Sequence, residues 1–174
     1  MENQEVLNEQ DAASPPESAL HFASQRGLVP TTEPEFERNG KKLYRVETFD
    51  DIVSLADIKD RIAEFLKDVR DRNELSQLEL ASLLGISAQV WGRYERAISS
   101  LEVTRFIVIC EQLGLNPVEL LGRTSPHLFG KTKEAAAARI ELYMRIGNLP
   151  DEVCMSLLEM VKQIENLHKP AKQR

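Results

Sequence analysis

Cysteine, histidine and aromatic side chains are all scarce in this chain of 174 residues, and no long apolar run interrupts it. The cysteines, Cys110 and Cys154, stand far apart among apolar neighbours. They are too few for a disulfide framework, and no Cys/His spacing suits zinc. The histidines, His21, His127 and His168, fall in a tail, a linker and a terminus. With no Ser/His/Asp or Cys/His set, no glycine-rich phosphate loop and no metal-ligand cluster, nothing in the chain argues for an enzyme, a cofactor or a metal. Asp50-Asp51 sits where a helix begins, so capping accounts for it. No apolar stretch approaches the ~18 residues needed to cross a bilayer. The opening MENQEVLNEQD lacks the basic start and apolar run of a signal peptide. The expectation is a cytoplasmic, non-membrane protein with reduced thiols.

An excess of positive charge is also missing. The net charge is −6, and it is unevenly spread. Residues 1–57 carry 12 acids and 5 bases, residues 58–125 carry 10 and 9, and residues 126–174 carry 6 and 8. The middle third is therefore close to neutral. A polyanion partner there would have to be met by a few well-placed cations rather than by a basic field.

Organisation follows from where breakers and periodicity fall. Residues 1–35 hold Pro15-Pro16, Pro30 and Pro34 with many Glu, Ser and Gln, and read as mostly disordered. Asn39-Gly40 followed by Leu43-Tyr44-Arg45-Val46 suits a small β-hairpin at 35–46. One hairpin alone is marginal in water, so it would need something to pack on; a linker, or an arm that grips a partner, are the other readings.

From Ser54 the pattern is helical. Ser54 with Asp57 forms a capping pair, and Ile58, Ile62, Phe65, Leu66 and Val69 line one face of a helix ending near Arg72-Asn73. Ser76-Gln77-Leu78-Glu79 is a capping box for a second helix, with Leu80, Ala81, Leu83 and Leu84 inward and Gly85 at its end. Ser87 caps a third carrying Val90, Trp91 and Tyr94. Thr104 to Leu113 is a fourth, and Asn116-Pro117 opens a short fifth through Leu121. Thr132 then begins an Ala-rich helix that stops at Gly147, and Pro150-Asp151-Glu152 starts another. Val153, Leu157, Met160, Ile164 and Leu167 repeat at the 4-3-4-3 spacing of a coiled-coil seam. Two short helices cannot bury such a seam by themselves, so a homodimer is expected.

Within this run, Gln77–Arg96 (QLELASLLGISAQVWGRYER) resembles the helix-turn-helix of the phage repressor and Cro family, also called the XRE family. Ala81 is the small residue where two steeply crossing helices touch, and Gly85 tolerates the positive φ of the turn. Leu80, Leu84, Ile86, Trp91 and Tyr94 fill the slots that lock the second motif helix to the first. The resemblance covers about residues 55–123. It implies an all-α, five-helix lambda-repressor-like domain at 54–124, between an acidic, largely disordered region at 1–53 and a C-terminal helical hairpin at 125–174 that dimerises. The sequence departs from the family in three places. Ala97 stands where a glycine usually ends the third helix, and Glu74 where many relatives have glycine. The loop from Ile98 to Val103 is about one residue longer.

The resemblance also implies roles. The helix after Ser87 would lie in the major groove of double-stranded DNA, with Ala88, Gln89, Gly92 and Arg93 facing base edges. Gln89 suits adenine and Arg93 suits guanine. Glycine within a helix costs roughly 1 kcal/mol, so Gly92 either lets the backbone approach DNA or is merely tolerated. Gln77, Ser87, Arg96, Thr104 and Arg105 are phosphate candidates by position, with helix capping or a solvated surface as the plain alternative. Arg70 and Glu95 would form a structural ion pair, and Trp91 would be core. The implied function is a transcriptional regulator, a repressor on an inverted-repeat operator. Two other readings remain open: an antitoxin-type autoregulator that binds a protein partner through its acidic N-terminal region, and an interaction module that no longer meets DNA.

Overall fold

The computed structural model describes residues 15–33, 42–49 and 51–168. The described residues are mostly helical, as expected, and include one two-stranded sheet. The chain divides into two compact units, residues 1–101 and 102–174. That division falls inside the 54–124 stretch read from the sequence as one domain.

The first unit opens with two elements that the sequence reading did not place. Helix α1, Glu17–Gln25, and strand β1, Leu28–Thr31, form within the stretch expected to be disordered. Strand β1 pairs antiparallel with β2, Leu43–Val46, in the register Leu28↔Val46 to Thr31↔Leu43. Of the hairpin expected at 35–46, the described residues hold the strand Leu43–Val46, and its partner, Leu28–Thr31, lies ahead of that range. Pro30 disguised the first strand, but a two-stranded sheet is all edges, where a missing N–H is tolerated. Asn39-Gly40 lies outside the described residues.

The sheet also has what a lone hairpin lacks, a partner to hold it. Glu33, only 4% exposed, accepts the Leu55 N–H at 3.1 and 3.2 Å and pairs with Arg45 at 2.9 Å. Arg45 donates in addition to the Val53 carbonyl. A charged carboxylate thus sits at the first N–H of helix α2, Leu55–Arg72, where the helix dipole favours it.

Helix α2 is capped by Ser54, whose hydroxyl accepts from Asp57 N–H at 3.0 Å. It buries Ala63, Phe65, Leu66 and Val69. Helix α3, Gln77–Leu83, starts with a complete capping box between Ser76 and Glu79. Helix α4, Ala88–Tyr94, is capped by Ser87. Leu80, Ala81, Leu84 and Trp91 are buried, as the motif requires. Leu83, expected on the buried side, is 58% exposed. At 100° per residue it stands to one side of the face made by Leu80, Ala81 and Leu84.

Three of these helices end in the same turn. Residue C″ donates to the carbonyl five positions back, and C′ adopts positive φ. The bonds are Leu75→Arg70 after α2, Ile86→Ala81 after α3 and Ile98→Arg93 after α4. Gly85 fills the left-handed position of the middle turn at φ 66°, but Glu74 and Ala97 fill the others at φ 55°. The turn geometry is kept without glycine, against a left-handed penalty of about 1 kcal/mol each.

In the second unit, α5 is Val103–Leu113, α6 is Pro117–Thr124 and α7 is Lys133–Ile146, with a 3-10 turn, Pro126–Leu128, between the last two. Asn116 caps α6 by accepting from Val118 N–H at 2.9 Å, and Thr132 caps α7 through Ala135 N–H at 3.2 Å. Helix α8, Asp151–His168, follows the Gly147–Pro150 link. Along α8 only Cys154 and Leu157 are even half-buried among the described side chains. Val153, Met160, Ile164 and Leu167 are exposed, Leu167 at 84%.

Candidate nucleic-acid interface

The geometry of the helix-turn-helix is fastened at one carboxylate. Glu95, just past α4, has a side chain only 4% exposed. It accepts from Arg70 Nε on α2 at 2.6 Å, from Trp91 Nε1 on α4 at 2.6 Å and from Gln77 Nε2 on α3 at 2.6 Å. The ion pair with Arg70 is the one the sequence resemblance implied. Arg70 also donates to the Leu75 carbonyl at 2.8 Å, pinning the turn in which Glu74 is left-handed. Burial opposes ionisation of Glu95, but hydrogen bonds from Arg70, Trp91 and Gln77 outweigh it and hold the carboxyl below the usual carboxylate range. The same bond, against the opposing effect of burial, holds Arg70 above its ordinary value. One charge thus sets the mutual angles of α2, α3 and α4.

Helix α4 then has a dry side and a wet side. Trp91 is wholly buried, and its ring meets Tyr94 edge-on at 6.3 Å and 82°. Gln89 and Arg93, four residues apart, are exposed on one face. Ala88 is half-buried in the first turn. The Ser87 hydroxyl accepts from Val90 N–H at 3.3 Å, so its acceptor role is as a cap.

Two of the sequence-derived positions carry structural duties as well. Gln77 is half-buried, with its amide nitrogen committed to Glu95, and it is the first residue of α3. Gly92 is buried, and a Cβ there would lie 3.0 Å from Arg96 Nη1 and 3.1 Å from Gln77 Oε1. Glycine at 92 gives those two side chains room beside α4, a reason not among the two weighed from sequence. No local pattern announces it, because Gln77 and Gly92 come together only when the helices cross. Arg96 is exposed. Thr104, exposed, and Arg105, half-buried, lie in the first turn of α5 in the second unit. Among the described residues no helix is long and apolar enough to cross a membrane, and no His, Cys, Asp and Glu group is arranged to hold a metal ion.

Comparison with known proteins agrees with this geometry. Residues 61–121 match a family model described as a helix-turn-helix domain. The chain is 33% identical over 61 residues to a protein named Antitoxin PezA from Streptococcus pneumoniae serotype 4 (strain ATCC BAA-334 / TIGR4). That similarity covers 35% of this chain and 39% of the relative, so the chain matches well under half of that protein's length. Residues 61–121 thus carry a helix-turn-helix domain, in keeping with the phage-repressor resemblance of Gln77–Arg96.

Proposed function

We propose that the protein binds double-stranded DNA sequence-specifically and acts as a transcriptional repressor, reading the major groove with α4. The observation that carries this is the two-sidedness of α4: Trp91 anchors it in the core while Gln89 and Arg93 stand in solvent four residues apart. Arg93 is suited to the O6/N7 edge of guanine and Gln89 to the N6/N7 edge of adenine. Half-burial of Ala88 leaves room for a thymine methyl. Ser87, Arg96, Thr104, Arg105 and the backbone N–H of Gln77 are assigned to phosphates, which fix register without reading sequence.

A dimer completes the reading. The exposed row of Val153, Met160, Ile164 and Leu167, with half-buried Leu157, has the spacing of a coiled-coil seam. A second copy seated on it would give two recognition helices, which on one face of DNA stand about 34 Å apart. The near-neutral middle third implies weak non-specific binding, so specificity must come from these few groups. Selection of bound sequences from random duplex DNA with the purified chain tests the proposal. An enriched inverted repeat is the expected result, and recovery of no preferred sequence would end it.

The similarity to a protein named as an antitoxin favours one refinement. In that version the regulator controls its own operator and also holds a protein partner through its acidic N-terminal region. Co-expression with a small basic partner should then yield a stable complex whose operator affinity differs from that of the chain alone. Unchanged affinity and separate elution on gel filtration would leave only the simple repressor.

A further inference from the structure

The second unit holds an open cleft of about 870 Å³ that the DNA-binding reading does not use. Its volume falls within the range of small-molecule sites, ~300–1,000 Å³. One wall is the loop His127–Thr132. The other is a single face of α7, where Ala135, Arg139 and Tyr143 follow at intervals of four. The walls are held together. A Cβ on Gly130 would lie 2.6 Å from the backbone nitrogen of Ala136, so the loop is pressed against α7 at that point. Arg139 Nη1 donates to the Phe129 carbonyl at 2.7 Å, tying helix to loop a second time.

The chemistry of the lining is one-sided. Lys131 and Arg139 bring positive charge, and no aspartate or glutamate lines the cleft. Lys131 is exposed, and nothing holds its ammonium among the described residues. Among the described residues Arg139 bonds only through Nη1, which leaves Nε and Nη2 for another acceptor. At the start of α7 the Thr132 hydroxyl takes the Ala135 N–H, and the Glu134 carboxyl, held below the usual carboxylate range by its own N–H and by Thr132, already faces that helix end, so the helix end is not what would bind an anion. Beside the cations stand two aromatic rings, Phe129 and Tyr143, edge-to-face at 6.0 Å and 61°. Leu128, 66% exposed, adds an uncovered apolar rim.

We propose that this cleft binds a small organic anion that carries an aromatic ring. The anionic group takes the fork of Arg139 and the ammonium of Lys131, since guanidinium matches carboxylate and phosphate oxygens in pairs. The ring lies against Phe129 and Tyr143, where its edge or face completes the aromatic contact. The site stands on its own and does not depend on how the first unit meets DNA.

Titration calorimetry on the full chain tests it with four probes: benzoate, phenyl phosphate, inorganic phosphate and benzylamine. Benzoate or phenyl phosphate should bind, and the tighter of the two names the anionic group. Inorganic phosphate should bind about tenfold more weakly for want of the ring, and benzylamine not at all. Arg139→Ala should weaken the aryl anion by about tenfold. Because that change also breaks the tie to Phe129, Lys131→Ala serves as the second variant. Its side chain is exposed and unbonded, so it should weaken binding several-fold with an unaltered melting curve. Absence of binding by both aryl anions, equal binding of benzylamine, inorganic phosphate as tight as phenyl phosphate, or wild-type affinity in the Lys131→Ala chain would each overturn the proposal.

Discussion

The helix-turn-helix and the last helix are opposites in how they treat their side chains. In α2–α4 the polar groups converge on one another and the apolar groups on a dry interior: Glu95 takes three donors at 2.6 Å, and Leu66, Val69, Leu80, Ala81 and Trp91 are wholly covered. In α8 the apolar row is as regular, yet it lies in solvent. The periodicity of the two stretches is equally good. What separates them is whether the described residues supply the covering surface. The first pattern specifies an internal fit, and the second, on the reading proposed above, the seam of a second copy.

The comparison breaks most sharply at Glu95. Glu95→Ala leaves the Arg70 guanidinium, the Trp91 N–H and the Gln77 amide without their shared acceptor. It should destabilise the protein by about 3–5 kcal/mol, read as an earlier midpoint in urea unfolding. The carboxyl titrates below the usual range in the folded state, so its contribution is present above the unfolded value of about 4.3 and is lost as pH falls through the lower folded value. Stability of the wild type should therefore drop more steeply on acidification below about pH 4 than that of Glu95→Gln.

Next in size is the wet side of α4. Arg93→Ala should lose about 1–3 kcal/mol on the selected operator and relax preference at one base pair, with no change in melting temperature. Equal affinity for the operator would remove Arg93 from readout. At α8, Leu157→Asp should shift sedimentation towards monomer while helicity by circular dichroism is unchanged; an intact dimer would assign the seam elsewhere. Smallest are the glycine-free turns. Ala97→Gly and Glu74→Gly each relieve a left-handed residue and should raise stability by about 0.5–1 kcal/mol, part of the gain being offset by greater freedom of the unfolded chain.

What could be read from the sequence was what is decided locally. Ser54, Ser76, Ser87, Asn116 and Thr132 all cap the helices assigned to them, because a cap is settled within three residues. The alternation of buried positions through Phe65, Leu80, Ala81 and Trp91 was equally plain. What escaped depends on distant partners. Glu33 finds Leu55 across 22 residues, β1 finds β2 around an intervening segment, and Gln77 meets Glu95 only after the helices cross. Leu83 is apolar yet exposed, because the buried face is set by Leu80, Ala81 and Leu84 and the helical turn puts Leu83 to one side of it. The departures at Glu74 and Ala97 were visible, but the sequence could not say whether the backbone would change or hold. It holds.

The Glu33 carboxylate decides where a smaller working piece can be cut. A fragment begun at Ser54, where the motif starts, would carry α2 with its Leu55 amide unanswered and would leave Arg45 behind with the discarded sheet. Beginning instead ahead of α1 keeps that amide satisfied, so for a minimal version of this protein the residues that look expendable belong to the scaffold.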